Sequence, residues 1–176
     1  MNTTTGGIPR YRSSTGPALL QEGFRPFFLG AALWSALALC LWLGSLAGHV
    51  ALPTAFDALT WHAHEMIFGF AAATVSGFLL TAIPNWTGRL PLQGGPLAAL
   101  ALTWLAGRAA IAVSAWIGAL PAAAIDLAFL VLLLMAVLRE IAAGRNWRNL
   151  PMPAALGLLI AANLLVHIEA IGMADT

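Results

Sequence analysis

Apolar residues fall along this chain in five runs, each about the length of a membrane-crossing helix, with short polar connections between them. The runs cover residues 27–47, 61–83, 97–117, 122–138 and 153–171. About 20 residues rising about 1.5 Å each cover the roughly 30 Å of a hydrocarbon core, so each run is long enough to cross once as a helix. The pattern predicts an all-α polytopic membrane bundle of about five transmembrane helices. Residues 1–24, rich in Thr, Gly and Ser and carrying Arg10 and Arg12, cannot bury a core and read as a flexible cytoplasmic tail ahead of a membrane domain at 25–173. The first run ends in Ser-Leu-Ala-Gly, which resembles a signal cleavage site. Signal cores are about 7–15 residues long, however, and this run is longer, so an uncleaved span is expected.

The connections are short and marked by helix breakers. Residues 49–60 contain Pro53 and Asp57, and Gly88 to Pro96 reads GRLPLQGGP. A turn at Gly118 to Pro121 forces the third and fourth runs into a tight antiparallel hairpin. Small residues recur at fourth positions within the runs: Ala32, Ala36, Cys40, Gly44 and Gly48; Gly69, Ala73 and Gly77; Ala106, Ala110, Ser114 and Gly118. In lipid such stripes let helices approach closely.

Composition agrees with the pattern. Hydrophobic residues make up 60% and charged residues 9%, against roughly 45–50% and 25% in a soluble domain. Every basic residue is Arg, the net charge is +1, and no basic-aromatic stretch suited to a phosphate backbone is present, which excludes nucleic acid as the expected partner. Cys40 is the single cysteine and sits in an apolar run, so no internal disulfide is possible. With five spans, Arg10, Arg12, Arg25, Arg89, Arg139, Arg145 and Arg148 all fall on one side, which the positive-inside rule makes cytoplasmic. The N-terminus is expected in and the C-terminus out, in a multi-pass protein of a bacterial cytoplasmic membrane.

That orientation brings His49, His62, His64 and His167 to the outer ends of spans one, two and five. Titratable groups inside a membrane span are costly unless paired, metal-bound or facing a polar cavity. His62, His64, His167, His49 and Met66 are therefore the candidate metal or haem ligands, since imidazole suits copper, haem iron and zinc, and a thioether favours reduced copper. On a regular helix His62 and His64 point about 200° apart, so one ion cannot easily take both. Glu65, Arg108, Asp126, Asn163 and Glu169 are candidates for orienting a ligand or forming ion pairs. Arg108, placed near mid-span, has Asp126 and Glu65 as possible partners, and a purely structural ion pair is as good a reading as an anion-binding role.

Three long motifs carry a family resemblance: GFRPFFLGA at Gly23 to Ala31, WHAHEMIFGFAAA at Trp61 to Ala73, and GFLLTAIPNWTGR at Gly77 to Arg89. Together they resemble the NnrS family of membrane proteins. The resemblance implies a haem- and copper-containing protein of nitric oxide resistance or of nitrite and nitric oxide respiration, with nitric oxide as a ligand and with His62, His64 and Glu65 in the polar motif. It covers about the first half of the family's pattern, so a second half or a homo-oligomer is an expected partner besides the lipid bilayer. Two other classes stay open: a transporter or channel using Arg108, Asp126 and Glu65 along a pathway, and a non-catalytic helical half-module.

Overall fold

The computed structural model describes residues 16–172. Its helices run in the order α1 (Phe24–Leu46), α2 (Ala58–His64), a π-helical segment (Glu65–Ala71), α3 (Ala72–Thr87), α4 (Gly95–Ala112), the short α5 (Ser114–Ile117), α6 (Ala119–Ala143) and α7 (Pro151–Ala170). Single 3₁₀ turns at Ala18–Leu20 and Trp147–Asn149 complete the set. The segment from α2 to α3 is one continuous rod, Ala58–Thr87, and five helices in all are long and apolar enough to cross a membrane.

The boundaries differ from the sequence reading where side chains outside the apolar pattern intervene. Asp57 starts α2 before the apolar run begins: its carboxylate accepts hydrogen bonds from the backbone N–H groups of Leu59 and Thr60. Pro84 does not end the second rod. The helix carries on for one more turn to Thr87, and Gly88, at φ 68°, terminates it in the left-handed region. The third run breaks at Val113, so α4 stops at Ala112, and Arg108 lies one turn from that end rather than at mid-span. The flexible tail expected over 1–24 lies in part outside the described residues. Residues 16–23 of it are tied down, since Gln21 O accepts from Gln93 Nε2 (2.5 Å) and Leu20 O accepts from the Gly94 N–H (2.9 Å).

α4 packs chiefly on α6, α1 on α3, and α6 on α7. Two apolar clusters result. One contains Phe27, Phe68, Leu79, Leu97, Trp104 and Phe129; the other contains Ala38, Phe56, Trp61, Ala110, Ile111 and Ala122. On each of the central rods the buried titratable residues fall between the members of these clusters: His64 and Glu65 between Trp61 and Phe68, Arg108 between Trp104 and Ile111, Asp126 between Ala122 and Phe129. The bundle therefore has a polar layer with apolar packing above and below it. Of the small-residue stripes, Gly69, Ala73 and Gly77 are buried against neighbours, whereas Ala32, Ala36 and Cys40 face outward. Leu33, Leu37, Leu102 and Leu158 are exposed on the outer faces, a surface that a bilayer covers.

Candidate metal centre

The π segment decides which way the polar motif points. Buried residues along the second rod repeat every fourth position: Glu65, Gly69, Ala73, Gly77 beside His64, Phe68, Ala72, Ser76, Leu80. A regular helix at about 100° per residue would carry such a stripe about 40° off line at each repeat. The wider π turn over Glu65–Ala71 takes up that drift and keeps the stripe facing the core. Gly69 O, which also receives the Ala72 N–H, accepts a hydrogen bond from the indole N–H of Trp104 at 3.0 Å. Gly69 is required here by close approach. A Cβ at that position would lie 2.7 Å from Glu65 Oε2, 2.8 Å from Trp34 Nε1 and 3.0 Å from Arg108 Nη1.

Around this face the charged groups form one connected network. Arg108 Nη1 donates to Glu65 Oε2 at 2.7 Å, and Arg108 Nη2 donates to Asp126 Oδ1. Trp34 Nε1, from α1, donates to the same Glu65 oxygen at 2.6 Å. The other oxygen of Asp126, Oδ2, accepts from Asn163 Nδ2 at 2.8 Å and from His167 Nε2 at 3.1 Å, both from α7. These two residues are four apart, so they share a helix face and reach one acceptor together. His64 Nε2 lies 3.3 Å from Asp126 Oδ2 and within hydrogen-bond distance, 3.0 Å, of Asn163 Oδ1. Glu65, Asn163, Asp126, His64, Arg108 and His167 are all between 0% and 2% exposed, which puts this much charge at a depth where every partner counts.

Three polar atoms in the layer find no hydrogen-bond partner among the described residues: Arg108 Nε, and His64 Nδ1 and Glu65 Oε1, which lie 3.9 Å apart. Donor atoms of His64, Asp126 and His167 lie within 4.8 Å of one another, close enough to share one ion. Aromatic rings wall this point off. Phe56 lies 5.4 Å from the His64 ring and 5.9 Å from the His167 ring, and Phe68 lies 4.9 Å from His64, centroid to centroid.

The remaining sequence candidates are placed elsewhere. His62 turns away from His64, as their angular separation requires, and its ring stacks on Trp42 at 4.2 Å and 9°. Met66 is half-buried against the Phe56 and Trp61 cluster. His49 and Glu169 are exposed and stay outside the network. Arg108, for which either Asp126 or Glu65 was expected, holds both. Arg108, Asp126 and Glu65, the residues of the transporter or channel alternative, are joined to one another through the two terminal nitrogens of Arg108. Sequence reasoning did not single out Phe56, Phe68, Trp34 or Trp104; each sits in an apolar run or loop where an aromatic residue signals only burial.

A family model described as NnrS protein matches residues 18–176. The chain belongs to the NnrS family. Membership in NnrS makes it a membrane protein of nitric oxide metabolism. No curated protein and no solved structure gives a match. In this NnrS chain the polar motif divides between two roles: His64 and Glu65 enter the buried layer, while His62 packs against Trp42.

Proposed function

We propose that this chain acts in nitric oxide resistance, or in nitrite and nitric oxide respiration, in the bacterial cytoplasmic membrane, by binding a transition-metal ion between His64, Asp126 and His167. The observation that carries the reading is the convergence of two imidazoles and a carboxylate in a sealed layer, beside an unpartnered His64 Nδ1 and Glu65 Oε1. Ligands bound at about 2.1 Å stand roughly 3.0–3.4 Å apart around an ion, by the geometry of right-angle and tetrahedral sites. The separations from Asp126 Oδ2 to His167 Nε2 and to His64 Nε2, 3.1 and 3.3 Å, fall in that range. An imidazole that ligates through Nε2 carries its N–H on Nδ1, and that N–H is normally received by a carboxylate or carbonyl. For His64 the atom in place to receive it is Glu65 Oε1.

Imidazole donors suit copper, iron and zinc alike, so a single ion of that class fits the centre. A haem does not fit it. Both Nε2 atoms turn toward the same carboxylate, and Phe56 and Phe68 lie against the rings where a macrocycle would have to stand. When bound, the ion supplies a coordination position for nitric oxide. The chain's own residues supply the rest: Arg108 engages one oxygen of Asp126, the other faces the two imidazoles as the ligand atom, Asn163 donates to that second oxygen and orients it, and the two phenylalanines exclude water. Nitric oxide is small and neutral, and it reaches such a layer through the apolar bundle and the surrounding hydrocarbon.

Metal analysis of the detergent-purified protein tests the reading. About one transition-metal ion per chain is expected, with His64→Gln and His167→Gln variants losing it by roughly 10-fold or more while His49→Gln keeps it. Full metal content in folded His64→Gln and His167→Gln protein contradicts the assignment.

A further inference from the structure

Away from the polar layer, the arginine-bearing end of the bundle holds a cleft between α3 and α6. Leu80 and Ile83 of α3, Ala136 and Val137 of α6, and Leu90 and Leu92 of the connection after α3 give it an apolar lining, and Arg139 and Glu140 stand at its polar side. Leu90 is 40% exposed and carries the apolar lining out to the surface. The enclosed volume is about 30 Å³, against roughly 300–1,000 Å³ for a site that engulfs a compact ligand. What fits is a slender apolar chain lying along the cleft. We propose that this cleft holds an anionic phospholipid, with one acyl chain against the apolar lining and the phosphate at Arg139.

Charge selects the headgroup. Glu140 is already engaged, since Arg89 Nε donates to its Oε2 at 2.5 Å. Arg139 is exposed and has no carboxylate partner among the described residues, so its guanidinium is open to a ligand. The loop bearing Arg145 and Arg148 is tied to the same end, with Asn146 Nδ2 donating to Trp86 O at 2.5 Å. Gly23, at the start of α1, packs on Leu80, which brings Glu22 and Arg25 to this end as well. Arg25, Arg89, Arg139, Arg145 and Arg148 there stand against Glu22 and Glu140 alone, an excess of three positive charges. A zwitterionic lipid brings its own cation into that field, whereas an anionic one brings only the phosphate charge, which a guanidinium receives through paired N–H donors. Basic pockets between spans recognise anionic headgroups in this way. A free phosphate would meet the same arginine but leave the apolar lining uncovered.

The test uses the full chain in mild detergent. Phosphatidylglycerol, phosphatidylcholine or inorganic phosphate is added at equal concentration, and bound lipid is measured by mass spectrometry alongside the thermal unfolding temperature. Phosphatidylglycerol is expected to stay bound and to raise the unfolding temperature, and the other two are not. Arg139→Gln should lower bound phosphatidylglycerol by roughly 5-fold, the share that one arginine carries at an anionic surface. Arg148→Gln, which removes an arginine of the same end from outside the cleft lining, should lower it clearly less. Ala136→Phe, which fills the lining while Arg139 stays, should also lower it; if that variant fails to fold, the comparison of Arg139→Gln with Arg148→Gln decides. Equal binding of the two phospholipids, equal loss in the two arginine variants, or stabilisation by inorganic phosphate to the same extent as by phosphatidylglycerol overturns the proposal.

Discussion

Arg108 and Glu65 meet at 2.7 Å in the middle of the bundle, with the guanidinium turned so that its other terminal nitrogen holds Asp126. One cation thereby ties α4 to the π segment and to α6, and it fixes the carboxylate at the candidate metal centre. Removing one partner of a buried pair strands the other and costs about 3–5 kcal/mol. Arg108→Gln is therefore expected to lower thermal stability markedly. In a double-mutant cycle, Arg108→Gln combined with Glu65→Gln should cost less than the two single changes added together. Additive losses would show that the pair is not coupled.

The close packing around Gly69 gives a second prediction. Gly69→Ala places a methyl group among Glu65 Oε2, Trp34 Nε1 and Arg108 Nη1, and overpacking of this kind costs about 1–3 kcal/mol. Gly157→Ala, where an added Cβ meets nothing within 4 Å, is the matched control. Thermal unfolding in detergent should show a clear drop for the first and little change for the second.

Trp104→Phe removes the N–H that Gly69 O accepts, while keeping most of the apolar volume. Gly69 O keeps the Ala72 N–H, so the loss is that of one ordinary hydrogen bond, about 0.5–1.5 kcal/mol. Amide hydrogen exchange should rise in the π segment Glu65–Ala71 more than in α6; equal protection in both would place no weight on that bond.

Asp57 predicts a pH dependence outside the membrane layer. The Thr60 hydroxyl donates to its carboxylate at 2.5 Å, and the backbone N–H groups of Thr60 and Leu59 add to this, so its pKa lies below the ordinary value of 3.8. A depressed carboxylate stabilises the fold above its unfolded pKa, and that contribution is lost as pH falls through the folded value. Asp57→Ala should cost about 0.5–2 kcal/mol near neutral pH, as loss of a helix N-cap does. The gap to wild type should close in acid below the ordinary carboxylate range; a gap that persists unchanged there would contradict the capping account.

Arginine placement predicts the membrane orientation. Arg89 Nε reaches Glu140 Oε2 at 2.5 Å, so the ends of α3 and α6 share a level, and Arg139, Arg145 and Arg148 belong to that same end. Reporter fusions after Gly94 should read cytoplasmic, and fusions after Pro53 and Pro121 should read external. A fusion after Gly94 that reads external would overturn the orientation.

The five spans were legible because long apolar runs carry the strongest signal a sequence has. Most of the polar layer was legible for a related reason: His64, Glu65, Arg108, Asp126, Asn163 and His167 stand out against an apolar background. Their wiring was not. Depth along a helix can be counted from residue numbers, and it placed four histidines at one level, but the direction each faces depends on how neighbouring rods are rotated. His49 and Glu169 lie near that level and face outward, while His167, two residues before Glu169, faces the core. The π segment left only an indirect trace, the four-residue repeat through Glu65, Gly69, Ala73 and Gly77. Phe56 was hidden in a loop read as a surface connection, and it is buried over His64 and His167.

X-ray absorption at the edge of whichever metal the purified protein carries tests the central claim most directly, because it reads the atoms bound to the ion. The account predicts a first shell of nitrogen and oxygen at about 2.0–2.2 Å, with the outer-shell pattern of two imidazoles that drops to one in His167→Gln. A sulfur neighbour at about 2.3 Å, or an imidazole pattern untouched by substituting His64 or His167, would contradict it.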